Sequence, residues 1–440
     1  FKHLEFYYFH NCIYEFLWRN NRRRYTERFA TWDVIRKYPH DWKLIFVGDA
    51  TMSPYEVLQP GGSVEYTGAG AFDRTFLVKD GGAGFHATSG VNPLLVNGTS
   101  QIDFDDTAPA TATSRPLTLS GTSILDNTYS AGLLQGGDAA QAFSSIVKNG
   151  VGQWIIDGAG STLAPNAEVN VNGGVLGFYL NALGGPSSTG NVNLADSSTL
   201  RWEATNNQDL GSRLKVADGA TATIKFDHTT SATTFTGGMN FGTGALVKSG
   251  AGDLVLAAAN TFSGGLTVAQ GKVTVSDAGA LGSGNATIGN AGTMVINQSV
   301  ANNINVSGNG TIGGTLVASV ASGNVSFGAI TVGDRGTVSR GASIGTLTST
   351  SMTLSGGARL EFNDPRRFGY MDLIAADART AVTFSLSPGQ AHDAVEGRAL
   401  LVAQAGAEAG EAFLHALGDH LGDGLGRRHR AALPARHHDR

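Results

Sequence analysis

Asp49-Ala50-Thr51-Met52-Ser53 sets one carboxylate ahead of two hydroxyls at two-residue steps, an oxygen donor set suited to Mg²⁺. It follows Lys43-Leu44-Ile45-Phe46-Val47-Gly48, which reads as a buried strand delivering Asp49 at its carboxyl end, where α/β folds place their sites. One carboxylate without partners holds Mg²⁺ poorly, so a solvated strand end is expected. Arg22-Arg23-Arg24 carries charge for phosphate contacts but stands beside Glu27 and reads as a solvated face. At the other end, His415, His420, His429, His437 and His438 invite a metal reading. His415 and His420 are five apart, not the three or four that align a pair on a helix, and Gly418, Gly422, Gly424 and Gly426 oppose a helix there. Between residues 90 and 355 the only histidine is His228 and cysteine is absent. Adjacent acids occur there at Asp105-Asp106, where neighbouring positions of a strand point to opposite faces. No catalytic, cofactor-binding or metal-binding residue is expected, and no cofactor.

The composition sets the frame for these residues. The chain has 61 glycines in 440 residues, about twice the usual ~7% share, and 15% charged residues against ~25%. So much glycine excludes a coiled coil or helical bundle. A net charge of −5 excludes a charge-driven disordered chain and gives no support to nucleic-acid binding. No run of eighteen apolar residues exists to span a membrane as a helix, and the lone Cys12 excludes a disulfide scaffold.

The averages conceal three compositions. Gly48 is the only glycine of the first sixty residues, and 15 of the 36 aromatic residues lie between Phe1 and Tyr55. Residues 61–360 hold 13 Lys+Arg and 18 Asp+Glu in a Gly/Ser/Thr/Asn/Val background. From Asp364 onward there are nine arginines, no lysine and six of the eleven histidines. The expected division is therefore 1–66, 67–360 and 361–440.

The middle piece repeats. Ile146-Val147-Lys148-Asn149-Gly150-Val151-Gly152 and Leu246-Val247-Lys248-Ser249-Gly250-Ala251-Gly252 lie one hundred residues apart, each followed by an apolar triplet, Trp154–Ile156 and Leu254–Leu256. Lys148, Lys248 and Lys272 occupy repeat positions and read as structural. Within a repeat the period is two: Leu266 and Val268 flank Thr267, and Val273 and Val275 flank Thr274. Short strands broken by Gly/Asn/Ser/Asp corners suit either a hairpin sandwich or a parallel solenoid. Asn149-Gly150, Asn97-Gly98 and Asn172-Gly173 are hairpin signals. Three hundred residues of one texture are too long for one sandwich, and a solenoid extends without limit. The expectation is an all-β parallel β-helix with Leu254, Leu256, Leu266, Val268, Val273 and Val275 facing inward, flanked by irregular, partly helical or disordered segments. At 20–25 residues per coil it forms a rod roughly 60 Å long.

The run LVKSGAGDLVLAAANTFSGGLTVAQGKVTVSDAGALGSGNATI (residues 246–288) resembles the autotransporter-associated β-strand repeat of type V secreted passengers. Lys248, Gly250, Gly252, the Asn260–Gly265 turn, Gly271-Lys272-Val273 and Ala280-Leu281-Gly282 carry the likeness. RGASIGTL (340–347), with MTLSGGARLEF after it, resembles the end of such passengers. The resemblance implies a right-handed β-helix at a Gram-negative cell surface. As the chain reads, it shows no signal peptide and no translocator barrel strands, so export and outer-membrane insertion by this segment are not expected.

Three flanking stretches resemble other families. Residues 1–66 resemble the later part of a bacterial von Willebrand A-type domain, in which Asp49 would match a single metal-facing carboxylate while the primary metal motif is absent. FNDPRRFGYMDL (362–373) resembles formamidopyrimidine-DNA glycosylases, whose Arg-Arg-Phe element corresponds to Arg366, Arg367 and Phe368; the catalytic proline, lysine and zinc finger are missing. Residues 382–401 resemble a DDE transposase segment but offer only Asp393 and Glu396 of three needed carboxylates. A chimeric reading frame is the simplest account of these fragments, and a fusion in which the aromatic N-terminus caps the first coil is the alternative.

The functional expectation is a non-catalytic surface passenger, structural or adhesive, offering hydroxyls and amides with little apolar area. Its partners are expected among host glycans, matrix or other passenger rods, without nucleic acid. The competing reading is an enzyme of glycosidase, lyase or protease type with a site on one face of the rod.

Overall fold

The computed structural model describes residues 82–96, 115–131, 142–158, 163–228, 231–309, 311–319, 324–339, 347–354 and 358–361. It also describes the backbone of the strands Lys43–Phe46, Tyr55–Leu58, Ser63–Tyr66, Gly70–Phe72, Thr75–Val78, Gln101–Phe104, Gly132–Leu133 and Val382–Phe384. Among the described residues every pairing between the named strands is parallel, one isolated antiparallel bridge joins Gly308 to Gly313 across a local turn, and the only helical element is the 3₁₀ turn Gly211–Arg213. The fold is a parallel β-solenoid. The hairpin sandwich is excluded as the architecture of the described region.

Each coil visits three faces. The first face stacks Ala83–Ala87, Pro116–Gly121, Phe143–Lys148, Leu163–Val171, Val192–Leu194 and Leu214–Val216. The second stacks Asn127–Tyr129, Gln153–Ile156, Val175–Phe178, Thr199–Trp202, Thr221–Phe226 and Ala245–Ser249. The third face is irregular at residues 179–190 and 203–213, then stacks Thr233–Phe235, Asp253–Leu256, the end of Leu266–Val275 and the end of Ala286–Ile296. Leu266–Val275 and Ala286–Ile296 each round a corner and serve the second and third faces with one continuous strand. Lys43–Phe46 pairs with Ser63–Tyr66, and Val382–Phe384 pairs with Met352–Leu354, in the same parallel sense.

One inward ladder on the second face shows the coil pitch. Trp154, Leu176, Leu200, Ile224, Lys248, Val268, Ile288, Val306, Val332 and Leu354 follow one another in register. The chain advances 18 to 26 residues per step, and nine steps of ~4.8 Å span about 43 Å. Alternation determines what faces in: Leu254, Leu256, Leu266, Val268, Val273 and Val275 are all buried, as their period-two spacing predicts. Two coils above Ile156, Trp202 meets Phe178 edge-on at 4.9 Å and stacks on Phe226 at 4.5 Å, so successive coils here fill the core with rings.

The corners explain the Asn-Gly signals. At Asn149-Gly150 the glycine has φ +73°, and after Asn172-Gly173 the positive φ falls one residue later, on Gly174 at +64°. The chain nevertheless turns only onto the next face: Asn149 N–H donates to Leu119 O, Gly152 N–H to Gly121 O and Asn172 N–H to Lys148 O. Bonding to the coil beneath replaces the bond back to the same strand that a hairpin requires. Asn97-Gly98 lies outside the described residues.

Candidate functional site

Four surface and corner features stand out. The first is a row of outward residues on the second face, Thr267, Thr287, Asn305, Thr331 and Thr353, paired in register from coil to coil. Lys272, Thr293, Thr315 and Thr337 make a parallel row on the third face. Their hydroxyl, amide and amine groups recur at ~4.8 Å because each outward strand position repeats once per coil. Threonine suits such a position, since its branched Cβ packs on a pleated surface while its hydroxyl remains hydrated.

The second feature is a charged cluster lower on the second face. Arg201 Nε donates to Glu203 Oε1 at 2.5 Å, Nη1 to Gln153 Oε1 at 2.9 Å and Nη2 to Asp126 Oδ1 at 3.1 Å. Gly177, directly beneath Arg201 in register, leaves room for Glu203 to fold over it; a Cβ there would collide with Glu203 Oε1. Burial raises the Glu203 carboxyl above its ordinary range, against the opposing pull of Arg201. Burial alone would lower the Arg201 guanidinium, but its bonds and attraction to Glu203 and Asp126 outweigh that and hold it high. Burial, then Glu203, Asp157 and Asp126, push the neighbouring Tyr179 phenol upward. The Arg201–carboxylate network makes a polar rim and leaves little of the guanidinium to polarise a substrate. Sequence reasoning missed the cluster because Asp126 and Arg201 are 75 residues apart. Its only local signal is Arg201-x-Glu203, two charges on one side of a strand.

An exposed apolar ridge is the third. Val91, Ile124 and Val151 are 84%, 75% and 71% exposed at the same corner of three successive coils. The corners are tied by Thr122 and Ser123 N–H donating to Ala87 O, and Gln153 N–H to Ser123 O. These residues lie in turns, where strand alternation says nothing about exposure.

The two copies of the lysine motif make the fourth. Lys148 and Lys248 are fully buried, each inside an aliphatic ladder: Lys148 between Leu119 and Val171, Lys248 between Ile224 and Val268. Lys148 Nζ donates to Asn149 O, Gly150 O and Gly173 O; Lys248 Nζ donates to Gly250 O and Gln270 O. Each ammonium thus ties the carbonyls of its own corner to those of the next coil. Burial lowers both to about 8. Lys272 points outward and pairs with Asp253 at 2.5 Å.

His228 is buried with Nε2 3.3 Å from Thr233 Oγ1. Among the described residues no three His, Cys, Asp or Glu side chains gather as a metal site. Asp49, Arg22–Arg24, Asp105-Asp106, Arg366–Phe368, Asp393, Glu396 and the C-terminal histidines lie outside the described residues.

Residues 246–275, which contain Lys248, its Gly250 corner and the continuous strand Leu266–Val275, match the family model of the passenger-associated-transport-repeat. The repeat and the solenoid together fit an autotransporter passenger. No curated protein and no solved structure matches the chain. The passenger repeat is therefore placed at the point where the second and third faces become one strand. No described helix is long and apolar enough to cross a membrane, which says nothing of strands. The three flanking resemblances fall on stretches where at most isolated strand backbones are described.

Proposed function

We propose that this chain is a non-catalytic cell-surface passenger, structural or adhesive, that binds weakly and multivalently to glycans, matrix or other rods. The outward rows Thr267–Thr287–Asn305–Thr331–Thr353 and Thr293–Thr315–Thr337 carry the reading. They offer a hydroxyl or an amide once per coil, with no aromatic or arginine anchor of the kind that concentrates binding energy. Individual contacts on such a surface are weak and add through repetition. The test immobilises the full chain at high and low density and measures binding to glycan and matrix panels at two salt concentrations. Binding should depend steeply on density and little on salt. Tight monovalent binding, or its loss at moderate salt, would replace this reading with a discrete charged site.

The Arg201–Glu203–Asp126 cluster favours the enzyme reading, because it joins a raised carboxyl to a second acid. Glu203 is nevertheless engaged by Arg201 at 2.5 Å, and no described histidine stands with it as a base. Glycosidase, lyase or protease activity that is abolished by Glu203→Gln would decide for the enzyme.

A further inference from the structure

We propose that Arg213 and the loop over residues 183–190 form a binding site for one small anion of halide or carboxylate size. The site lies where the third face turns into the first. Arg213 is 8% exposed, at the end of the 3₁₀ turn Gly211–Arg213. Its Nε donates to Gly190 O at 2.7 Å and its Nη2 to Leu183 O at 3.0 Å, while Nη1 is buried without a partner. Both partners are neutral carbonyls. Burial is the only influence on this guanidinium, pushing its pKa down, and no carboxylate offsets it.

An arginine cannot shed its proton to escape such a site, so the charge stays buried. A buried charge without a counter-charge is among the costliest arrangements in a protein. Water would satisfy the Nη1 donors but leave the charge unopposed. An anion does both.

The loop gives that anion a second donor. A Cβ built on Gly184 would lie 2.3 Å from Ser188 Oγ and 3.9 Å from Arg213 Nη1, so hydroxyl and guanidinium converge on a residue without a side chain. Gly184 has φ +90°, which disfavours replacement by a larger residue. Gln208 braces the same loop, its Nε2 donating to Gly184 O and its Oε1 accepting from Asn181 N–H. Gly185, next to Gly184, has nothing within 4 Å of a built Cβ, so that side of the loop is not packed against the rest of the described rod.

The test uses the full chain, with thermal unfolding followed at constant ionic strength as sodium methanesulfonate is exchanged for sodium chloride or sodium acetate. A saturable rise of about 3 °C is expected at ten times the dissociation constant. The rise should vanish in Arg213→Met and saturate at higher concentration in Ser188→Ala. If Arg213→Met does not fold, ³⁵Cl line broadening by the wild-type chain, reversed by acetate and weakened in Ser188→Ala, carries the test. No anion dependence in the wild type would mean that water alone fills the site, and an equal response in Arg213→Met would mean a general salt effect. Either result overturns the proposal.

Discussion

Replacing both buried lysines, Lys148→Met with Lys248→Met, should change how the stability of the rod responds to pH. Each ammonium is lowered from 10.5 to about 8 by burial. The unfolded chain therefore binds more protons than the folded one between pH 8 and 10.5. Folding is penalised below pH 8, and the penalty is relieved as pH rises through that window. A shift of 2.5 units corresponds to about 3.4 kcal/mol per lysine at low pH, of which about 1.3 kcal/mol is relieved between pH 7 and 9. The pair should contribute roughly 2.7 kcal/mol, a rise of about 1 M in urea midpoint at an m-value of ~3 kcal/mol/M. The methionine variant removes the buried charges but leaves Asn149 O, Gly150 O, Gly173 O, Gly250 O and Gln270 O without these donors, at ~1–3 kcal/mol each. Its absolute stability is thus a balance, whereas its pH slope is not. Urea titrations of the full chain at pH 7, 8 and 9 should show a rising midpoint in the wild type and a flatter one in the variant. Equal slopes, or a wild-type midpoint that does not rise, would refute the assignment of these ammoniums as buried charges.

Two further experiments probe the coil-to-coil contacts. Gly121→Ala should cost more than about 2 kcal/mol, because Gly121 has φ +117° and a Cβ would lie within 1.9 Å of Ala87 O, whereas Gly90→Ala, with open space around it, should be nearly neutral. Urea midpoints of the two variants, equal within error, would show that the corner relaxes freely. Asn127→Ala should cost about 2–4 kcal/mol, since buried Asn127 accepts from Leu94 N–H at 2.8 Å and donates to Gln153 O at 2.8 Å, joining three coils. Hydrogen exchange should quicken at Leu94 in that variant, and unchanged protection there would remove the bridging role.

Much of the architecture was legible because it is local. Whether Val273 faces in and Thr274 out depends on strand alternation alone, and the corners announce themselves as Asn149-Gly150 and Asn172-Gly173. The same locality explains the failures. Nothing near Arg201 in the chain points to Asp126 or Gln153, and nothing near Arg213 points to Leu183 or Gly190, since these partners arrive from earlier coils. The exposure of Val91, Ile124 and Val151 arises in turns, which have no period to read.

The sequence by itself determined that the middle of this chain is a stack of short strands with glycine corners, that its apolar positions face one interior, and that the lysine motif recurs. Only the tertiary structure decided where each motif lands on the rod. The Lys148 copy runs from the first face onto the second, and the Lys248 copy from the second onto the third. Two segments with the same Val-Lys-x-Gly-x-Gly pattern are thus rotated by one face. The reason is that a strand takes its place from the accumulated length of all the turns before it, as at residues 179–190 and 203–213. Each turn is accommodated by hydrogen bonds to the coil beneath. Local preference chooses strand or corner, and the neighbouring coil chooses the face.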